Sequence, residues 1–462
     1  MSMIRVPKLY VVASKIAKSV KEEGASLKEL VYSHKYRHFN IKALYALVIE
    51  TLSRESVLGE LLERTRILEN EQHLRWDPWL VRVLVTELLW RKQRLPPGGK
   101  RMQTVLRYEP GLREELASLE AAGVPVERSA EVNKPRYARV NTLVATYEDV
   151  VSDLQHRGWK HRRVFGLSYP DFLDAVAGLR EGSFLRDTHL PELLVFPKGT
   201  EFFTDPLYRS GAIVLQDKAS LLPVHLLNPP PGSVVLDLCA APGMKTSHIA
   251  AVMNNRGTVY AVERNAKRYQ TLCEKVEQYG ATCVRTLLAD ALTVNSEQCP
   301  GVEYILVDPS CSGSGIVDRV SSATEKQADP ARLQRLATVQ ALLLKHALTG
   351  FPAAKRVVYS TCSLDAEENE QVVEEALSHV QSTRAPHRFE LGAPFGGEDR
   401  WISRGSDEYE HGPRCLYARP RVDLTNGFFV AVFERLPDVA GDVAGESESK
   451  QRKLSRKKKK LK

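Results

Sequence analysis

Two cysteines stand where chemistry could happen. Cys311 lies in VDPSCSGSG (307–315) and Cys362 in YSTCSLDAEEN (359–369), each just beyond a short apolar run that reads as a buried strand. In a parallel sheet the carboxyl ends of the strands share one rim, so two thiols 51 positions apart can face a common pocket. Asp365 and Glu368 have the spacing of a capping box that opens a helix, and a thiol just ahead of a helix N-terminus is biased towards thiolate. A thiolate is suited to covalent catalysis. Added to carbon 6 of a cytosine, it turns the ring into an enamine whose carbon 5 can take a methyl group from a sulfonium. A proton donor near ring nitrogen 3 would stabilise the adduct, and Asp308 is placed for that. The bland reading is a pair of packed core thiols, which is the expectation for Cys239, Cys273, Cys283, Cys299 and Cys415.

An earlier strand ends in DLCAAPGMKTSHIA (237–250). Ala240, Ala241 and Gly243 let backbone approach a ligand, Pro242 stiffens the turn, and a helix is expected to start near Met244. The loop is neither a dinucleotide G-x-G-x-x-G nor a phosphate loop, so it suits a ligand without a pyrophosphate. Glu263 ends the next strand, where a carboxylate can accept both ribose hydroxyls, and Asp290 ends the one after, facing an adenine amino group. Each acid alone could be a helix cap. Asp237, Glu263 and Asp290 at successive strand ends together point to S-adenosylmethionine.

The elements that must position these loops follow from periodicity. Residues 1–135 show apolar spacings of three and four and are expected to form a helical domain; Arg91, Lys92, Arg94, Lys100 and Arg101 around LPPGGK are either a solvated helix end or a phosphate contact. Residues 136–215 mix strand and helix patterns, as in RYARVNTL, VATYEDVVSDLQHRG and PELLVFP, and are read as a small α+β module that binds RNA. Over 216–437, Val/Ile/Leu runs alternate with helical stretches, the pattern of an α/β domain with a covered parallel sheet. Asn426-Gly427 reads as a hairpin turn before FFVAVFERL, a last antiparallel strand. Residues 438–462 are expected to be a disordered basic tail.

Charge is unevenly distributed. Nine of the 65 Lys and Arg residues fall in 450–462, which leaves 56 against 57 acids elsewhere. Residues 1–135 carry 23 basic and 17 acidic residues. A nucleic-acid footprint is thus expected at the chain ends and in local clefts. No apolar run approaches the roughly 18 residues that cross a bilayer, and no signal peptide is read. An odd number of cysteines without a C-x-x-C pair speaks for free thiols in a reducing compartment and against a zinc site.

DLCAAPGMKT, LVDPSCSGSG, YSTCSLDAEENE and NGFFVAVFE together resemble the NSUN (NOL/NOP/Sun) family of RNA cytosine-5 methyltransferases, in the family's own order. The resemblance covers most of residues 25–437, is greatest to the family's fifth member, and extends to RVNTL and DPLYRSGAIVLQDKAS. It implies a Rossmann-like S-adenosylmethionine-dependent methyltransferase sheet. By resemblance Cys362 is the nucleophile, Cys311 assists product release, and Asp308 contacts the base beside the cofactor. Cys239, Ala240, Ala241, Pro242, Gly243, Met244 and Lys245 then form the cofactor loop, joined by Glu263, Arg268 and Asp290. Glu263 stands where many members have Asp, and Ser310 replaces another small residue. The implied substrate is large-subunit ribosomal RNA, met alone or in pre-ribosomal particles by a monomer in the nucleus and nucleolus, with no DNA or membrane partner. A non-catalytic RNA-binding scaffold in ribosome assembly and the same chemistry on tRNA stay open. A DNA methyltransferase is disfavoured, because DPSCSG lacks the P-C-Q order.

Overall fold

The computed structural model describes residues 6–23, 25, 27–75, 77–96, 98–124, 126, 132–317, 330–383, 388–397 and 401–437. They fall into two compact units, one up to Val132 together with 317 and 330–332, the other taking the rest from Asn133 onward. The expected tail, 438–462, lies outside the described residues.

The first unit is helical, as its periodicity requires. Its main helices are Lys8–Glu22, Ile41–Ser53, Glu55–Arg64, Pro78–Thr86, Lys100–Arg107 and Glu109–Ala121. Asn40 and Asp77 cap two of them by accepting the backbone N–H of Ala43 and Leu80. Their apolar stripes meet in one core that includes Leu44, Leu58, Leu61 and Leu84. Arg91 and Lys92 both pair with buried Glu87, and Arg101 lies 3.9 Å from Asp77. Three of the five basic residues around LPPGGK therefore have carboxylate partners within their own unit.

The second unit holds two sheets. The smaller is built from β1 (Arg136–Val140), β2 (Lys160–His161), β3 (Ser183–Arg186), β4 (Leu193–Phe196) and β5 (Ile213–Leu215), in the order β2-β3-β4-β1-β5. The larger contains β6 (Val234–Asp237), β7 (Thr258–Glu263), β8 (Val284–Leu288), β9 (Tyr304–Val307), β10 (Arg356–Thr361), β11 (Phe389–Leu391), β12 (Leu416–Ala418) and β13 (Phe428–Arg435). Its order is β11-β13-β10-β9-β6-β7-β8, with β12 also on β13. Strands β6 to β10 run parallel and β13 runs antiparallel to β10, as expected for the last strand.

From β6 the chain winds outward through β7 and β8, then returns to β9 on the other side of β6. The order reverses between β6 and β9, and that reversal opens the crevice where ligands of such sheets sit. Polar contacts fasten the small sheet to the helix Met244–Val252 that follows β6. Fully buried Arg139 donates to Gln216 and, at 3.2 Å, to Ser247, while His248 meets Glu192 at 2.8 Å.

Two expectations need correction. Asn426-Gly427 is not a two-residue hairpin turn. Between β12 and β13 the chain makes a short helix, Pro420–Asp423, and Gly427 instead donates its N–H to the Gly315 carbonyl at 2.7 Å. The close approach of those two backbones leaves no room for a Cβ at either glycine. The Asp365–Glu368 capping box does not form either. Glu368 turns into the core, and the Asp365 carboxylate accepts from the hydroxyls of Ser312 and Ser363.

Candidate active site

The loop after β6 is shaped by Gly243. Its φ of +101° is left-handed, and a Cβ there would meet Leu272 at 3.1 Å, so only glycine fits without strain. The helix begins at Met244, as its sequence suggests. Its Thr246 hydroxyl reaches back 2.7 Å to Asp237, whose buried carboxyl is pushed up to about 7 by loss of water, with the neighbouring Asp308 charge adding to this. Cys239 is half-buried, its thiol pushed up by desolvation.

Glu263 at the end of β7 accepts the Asn265 N–H at 2.8 Å and lies 3.3 Å from Arg268. Arg268 in turn donates to the Ala241 carbonyl at 2.8 Å, binding the tip of the β6 loop to the end of β7. A carboxylate offers about four lone-pair sites, so Glu263 keeps acceptor capacity for ribose hydroxyls. Asp290 is exposed and caps the single turn Ala291–Thr293 through the Leu292 N–H. One of its oxygens thus has the capping role, and the other is open to an amino group. Small backbone at 240–243, one carboxylate for a diol and one for an amine fit an S-adenosyl group.

The carboxyl ends of β9 and β10 lie side by side, Val307 opposite Tyr359. Their loops bring Cys311 Sγ within 2.9 Å of Cys362 Sγ. The Cys311 contact is the main influence holding the Cys362 pKa below the ordinary thiol value, and the Lys245 ammonium pushes the same way. The same contact, together with burial and the Glu368 charge, raises Cys311. One sulfur is therefore suited to be the thiolate and the other to be its proton-bearing neighbour.

The activation does not come from a helix. Helix Glu370–Ser382 starts eight residues after Cys362, behind the turn Ala366–Glu368, so the expected dipole effect is replaced by the second thiol and Lys245.

Asp308, just past β9, joins the helix Met244–Val252 that follows β6 to β10. It accepts from Lys245 Nζ at 2.8 Å and from Ser360 Oγ at 2.6 Å, while the Lys245 ammonium also lies over the Phe428 ring. Both contacts are made to it as an acceptor. The structure thus gathers Cys311, Cys362, Asp308 and Lys245, whereas Glu263, Arg268 and Asp290 lie along the β7 and β8 ends. Residue-by-residue reading missed Ser360, Ser312 and the inward role of Glu368. Ser360 and Ser312 sit inside the two cysteine motifs, but nothing local marks their partners.

Comparison with known proteins agrees with this geometry. Residues 224–434 match the family model of 16S rRNA methyltransferase RsmB/F. Residues 134–216 and 42–130 match the ferredoxin-like and N-terminal domains of NOL1/NOP2/Sun domain family member 5. A 28S rRNA (cytosine-C(5))-methyltransferase of Drosophila melanogaster is 38% identical over 94% of this chain and 97% of its own. A mouse protein of the same name is 41% identical over 92% of this chain and 91% of its own. The fission-yeast 25S rRNA (cytosine-C(5))-methyltransferase rcm1 is 34% identical over 91% and 89%. Among solved structures, PH0851 superposes with a TM-score of 0.65 at 20% identity, covering 94% of this chain and all of its own, which speaks for the fold. A methyltransferase homolog from Pyrococcus horikoshii is 26% identical with a TM-score of 0.50, over 66% of this chain and 87% of its own. The large sheet is accordingly the Rossmann-like core of an S-adenosylmethionine-dependent methyltransferase, preceded by a helical domain and a ferredoxin-like module. With its relatives matched nearly end to end, the chain belongs to the NOL1/NOP2/Sun family of cytosine-C5 methyltransferases, in the group of the fifth member.

Proposed function

We propose that this enzyme methylates carbon 5 of one cytosine in large-subunit ribosomal RNA, with Cys362 as nucleophile. The observation that carries the reading is the thiol pair at 2.9 Å, its Cys362 member favoured as thiolate, beside the crevice between β6 and β9. Residues 239–245, Glu263, Arg268 and Asp290 would hold S-adenosylmethionine, which would supply an electrophilic methyl group and leave as S-adenosylhomocysteine.

Cys362 Sγ forms a bond to carbon 6 and pushes electrons into the ring, which a proton at nitrogen 3 would neutralise. Asp308 contacts the base there, and the ammonium of Lys245 beside it is the proton source at hand. Carbon 5 then accepts the methyl group. The Cys311 sulfur, once it has given its own proton to solvent, takes the proton from carbon 5; the electrons of that C–H bond re-form the ring double bond, Cys362 leaves as thiolate, and the nitrogen-3 proton returns to Lys245.

The assignment extends to the whole chain. Residues 1–135 act as a helical domain, 136–215 as an RNA-binding module, 216–437 as the catalytic domain and 438–462 as a basic tail. The tail serves as a nuclear and nucleolar address and a phosphate tether. The protein works as a monomer on pre-ribosomal RNA. A protein cut before residue 450 should leave the nucleolus and bind RNA with a shallower salt dependence; unchanged location and salt slope would remove both roles.

Bisulfite sequencing of large-subunit ribosomal RNA from cells with and without the protein tests the main reading. One cytosine should lose its protection when the protein is absent. No change at any position, with a change in tRNA instead, would move the substrate. Calorimetry with S-adenosylmethionine separates an enzyme from a scaffold, which would bind none.

A further inference from the structure

The ferredoxin-like module carries a cleft of about 610 Å³ that none of the residues assigned above enters. Its floor and walls come from helix Tyr147–His156, from the segment 161–166 after β2 and from the end of β3 with the turn that follows. Its volume falls within the roughly 300–1,000 Å³ of small-ligand sites. At its edge stands Phe165, 82% exposed. A single exposed ring is ordinary on a protein surface, but beside a cleft lined by cations it offers a face on which a base can stack.

The charges say which ligand. Arg162, Arg163 and Arg186 all line the cleft and all are exposed. Arg163 makes no ion pair or hydrogen bond among the described residues. Arg162 and Arg186 spend single N–H groups on the carbonyls of Gly178 and Pro191, which leaves most of each guanidinium open. Arg186 lies over the Tyr147 ring at 4.4 Å, a second planar surface. Of the two acids in the lining, Asp187 is already paired with Lys218 at 2.8 Å, so only Glu148 opposes three guanidiniums. Planar platforms among forked cations recognise unstacked bases and phosphates.

We infer that this cleft holds a single-stranded stretch of the RNA substrate, one base stacking on Phe165 and adjoining phosphates meeting Arg162, Arg163 and Arg186. The inference rests on the reading of the protein as an RNA methyltransferase and names a second subsite for that substrate. Its geometry suits the reaction. A base that is to reach the half-buried Cys362 thiol must leave its helix, and a grip on neighbouring unpaired nucleotides selects RNA already open there. The cleft is also mechanically joined to the catalytic domain. Lys218, the partner of Asp187, stands in a cage of Tyr169, Phe172 and Trp401 at 5.0 to 5.3 Å, and Tyr169 hydrogen-bonds Asp423 ahead of β13.

The full-length protein with a fluorescent oligouridine of about eight nucleotides, followed by anisotropy, tests this. Phe165→Ala should weaken binding roughly 5- to 150-fold. Arg162→Ala with Arg163→Ala should weaken it further and lower the slope of log affinity against log salt by about 0.7 for each phosphate left without its arginine. Both variants should raise KM for RNA and leave kcat and S-adenosylmethionine binding unchanged. Binding by the Phe165→Ala protein as tight as the original, or tighter to a duplex than to the single strand, would overturn the subsite. An acidic peptide displacing the oligonucleotide from the original protein but not from the arginine variant would assign the cleft to a protein partner instead. Cys362→Ala must not change oligouridine affinity, so failure of the methylation reading and failure of the cleft show up in different measurements.

Discussion

The carboxylate of Glu368 accepts the backbone N–H of Ser312 at 2.9 Å and its hydroxyl at 2.6 Å, across 56 positions of chain. Gln340 donates to the same carboxylate at 2.9 Å. Ser312 follows Cys311 directly, and Glu368 lies on the segment that Cys362 opens. One fully buried side chain thus holds two loops at the spacing that sets their sulfurs together.

Removing that fastening should cost both stability and rate. Glu368→Ala removes the acceptor shared by the Ser312 N–H, the Ser312 hydroxyl and the Gln340 amide, a loss of about 1–3 kcal/mol in denaturant unfolding. The thiols should drift, and a shift of about 1 Å can lower turnover about 100-fold. Glu368→Gln, which keeps an acceptor and the volume, should lie between. A Glu368→Ala protein with unchanged single-turnover rate would show that the loops hold their spacing without it.

The two cysteines should fail differently. Cys362→Ala should bind S-adenosylmethionine normally and transfer no methyl group. Cys311→Ala should instead accumulate enzyme joined to RNA, seen as a slow band on a denaturing gel. Exchanged outcomes would reverse the assignment.

The pH dependence separates a primed thiolate from an ordinary one. Because Cys311, and to a lesser degree Lys245, hold the Cys362 pKa down, the rate of adduct formation should rise with pH and level off below the ordinary thiol pKa of about 8.5. Adduct formation falls on the acid side as Cys362 takes up its proton. In Cys311→Ala the main lowering influence is gone, so the rise should move to higher pH. Quenched-flow adduct formation at saturating RNA measures it, and an unmoved profile would count against activation by the neighbouring thiol.

Lys218 and Asp187, both fully buried, form an ion pair at 2.8 Å that joins the module to the catalytic domain. Lys218→Met leaves the Asp187 carboxylate without its cation and should cost about 3–5 kcal/mol, read as a lowered urea midpoint. Adding Asp187→Asn should restore much of the loss, because the orphaned charge is gone. Equal instability of single and double variants would place the cost in packing against Tyr169 and Trp401 rather than in charge.

Much of this was legible from residue order. Strand β8 was readable although it is the half-exposed edge, because Val284–Leu288 keeps a strand-like composition. The short strands β3, β11 and β12 have three or four residues each, too few for a period to register. Asn426-Gly427 misled for the opposite reason: a strong local turn signal was overridden by the backbone of Gly315 packing against it.

Residue types and their spacing alone determined that a parallel sheet would carry the loop 239–245 and two cysteine loops on one rim, since buried strands and their ends are written locally. That the two sulfurs lie 2.9 Å apart, that Lys245 faces Asp308, that Glu368 turns inward, and that three arginines and Phe165 surround a cleft were decided only by the folded chain. Those relationships join residues on different strands and loops, and their energies come from burial and from partners that exist only once strand order has been set.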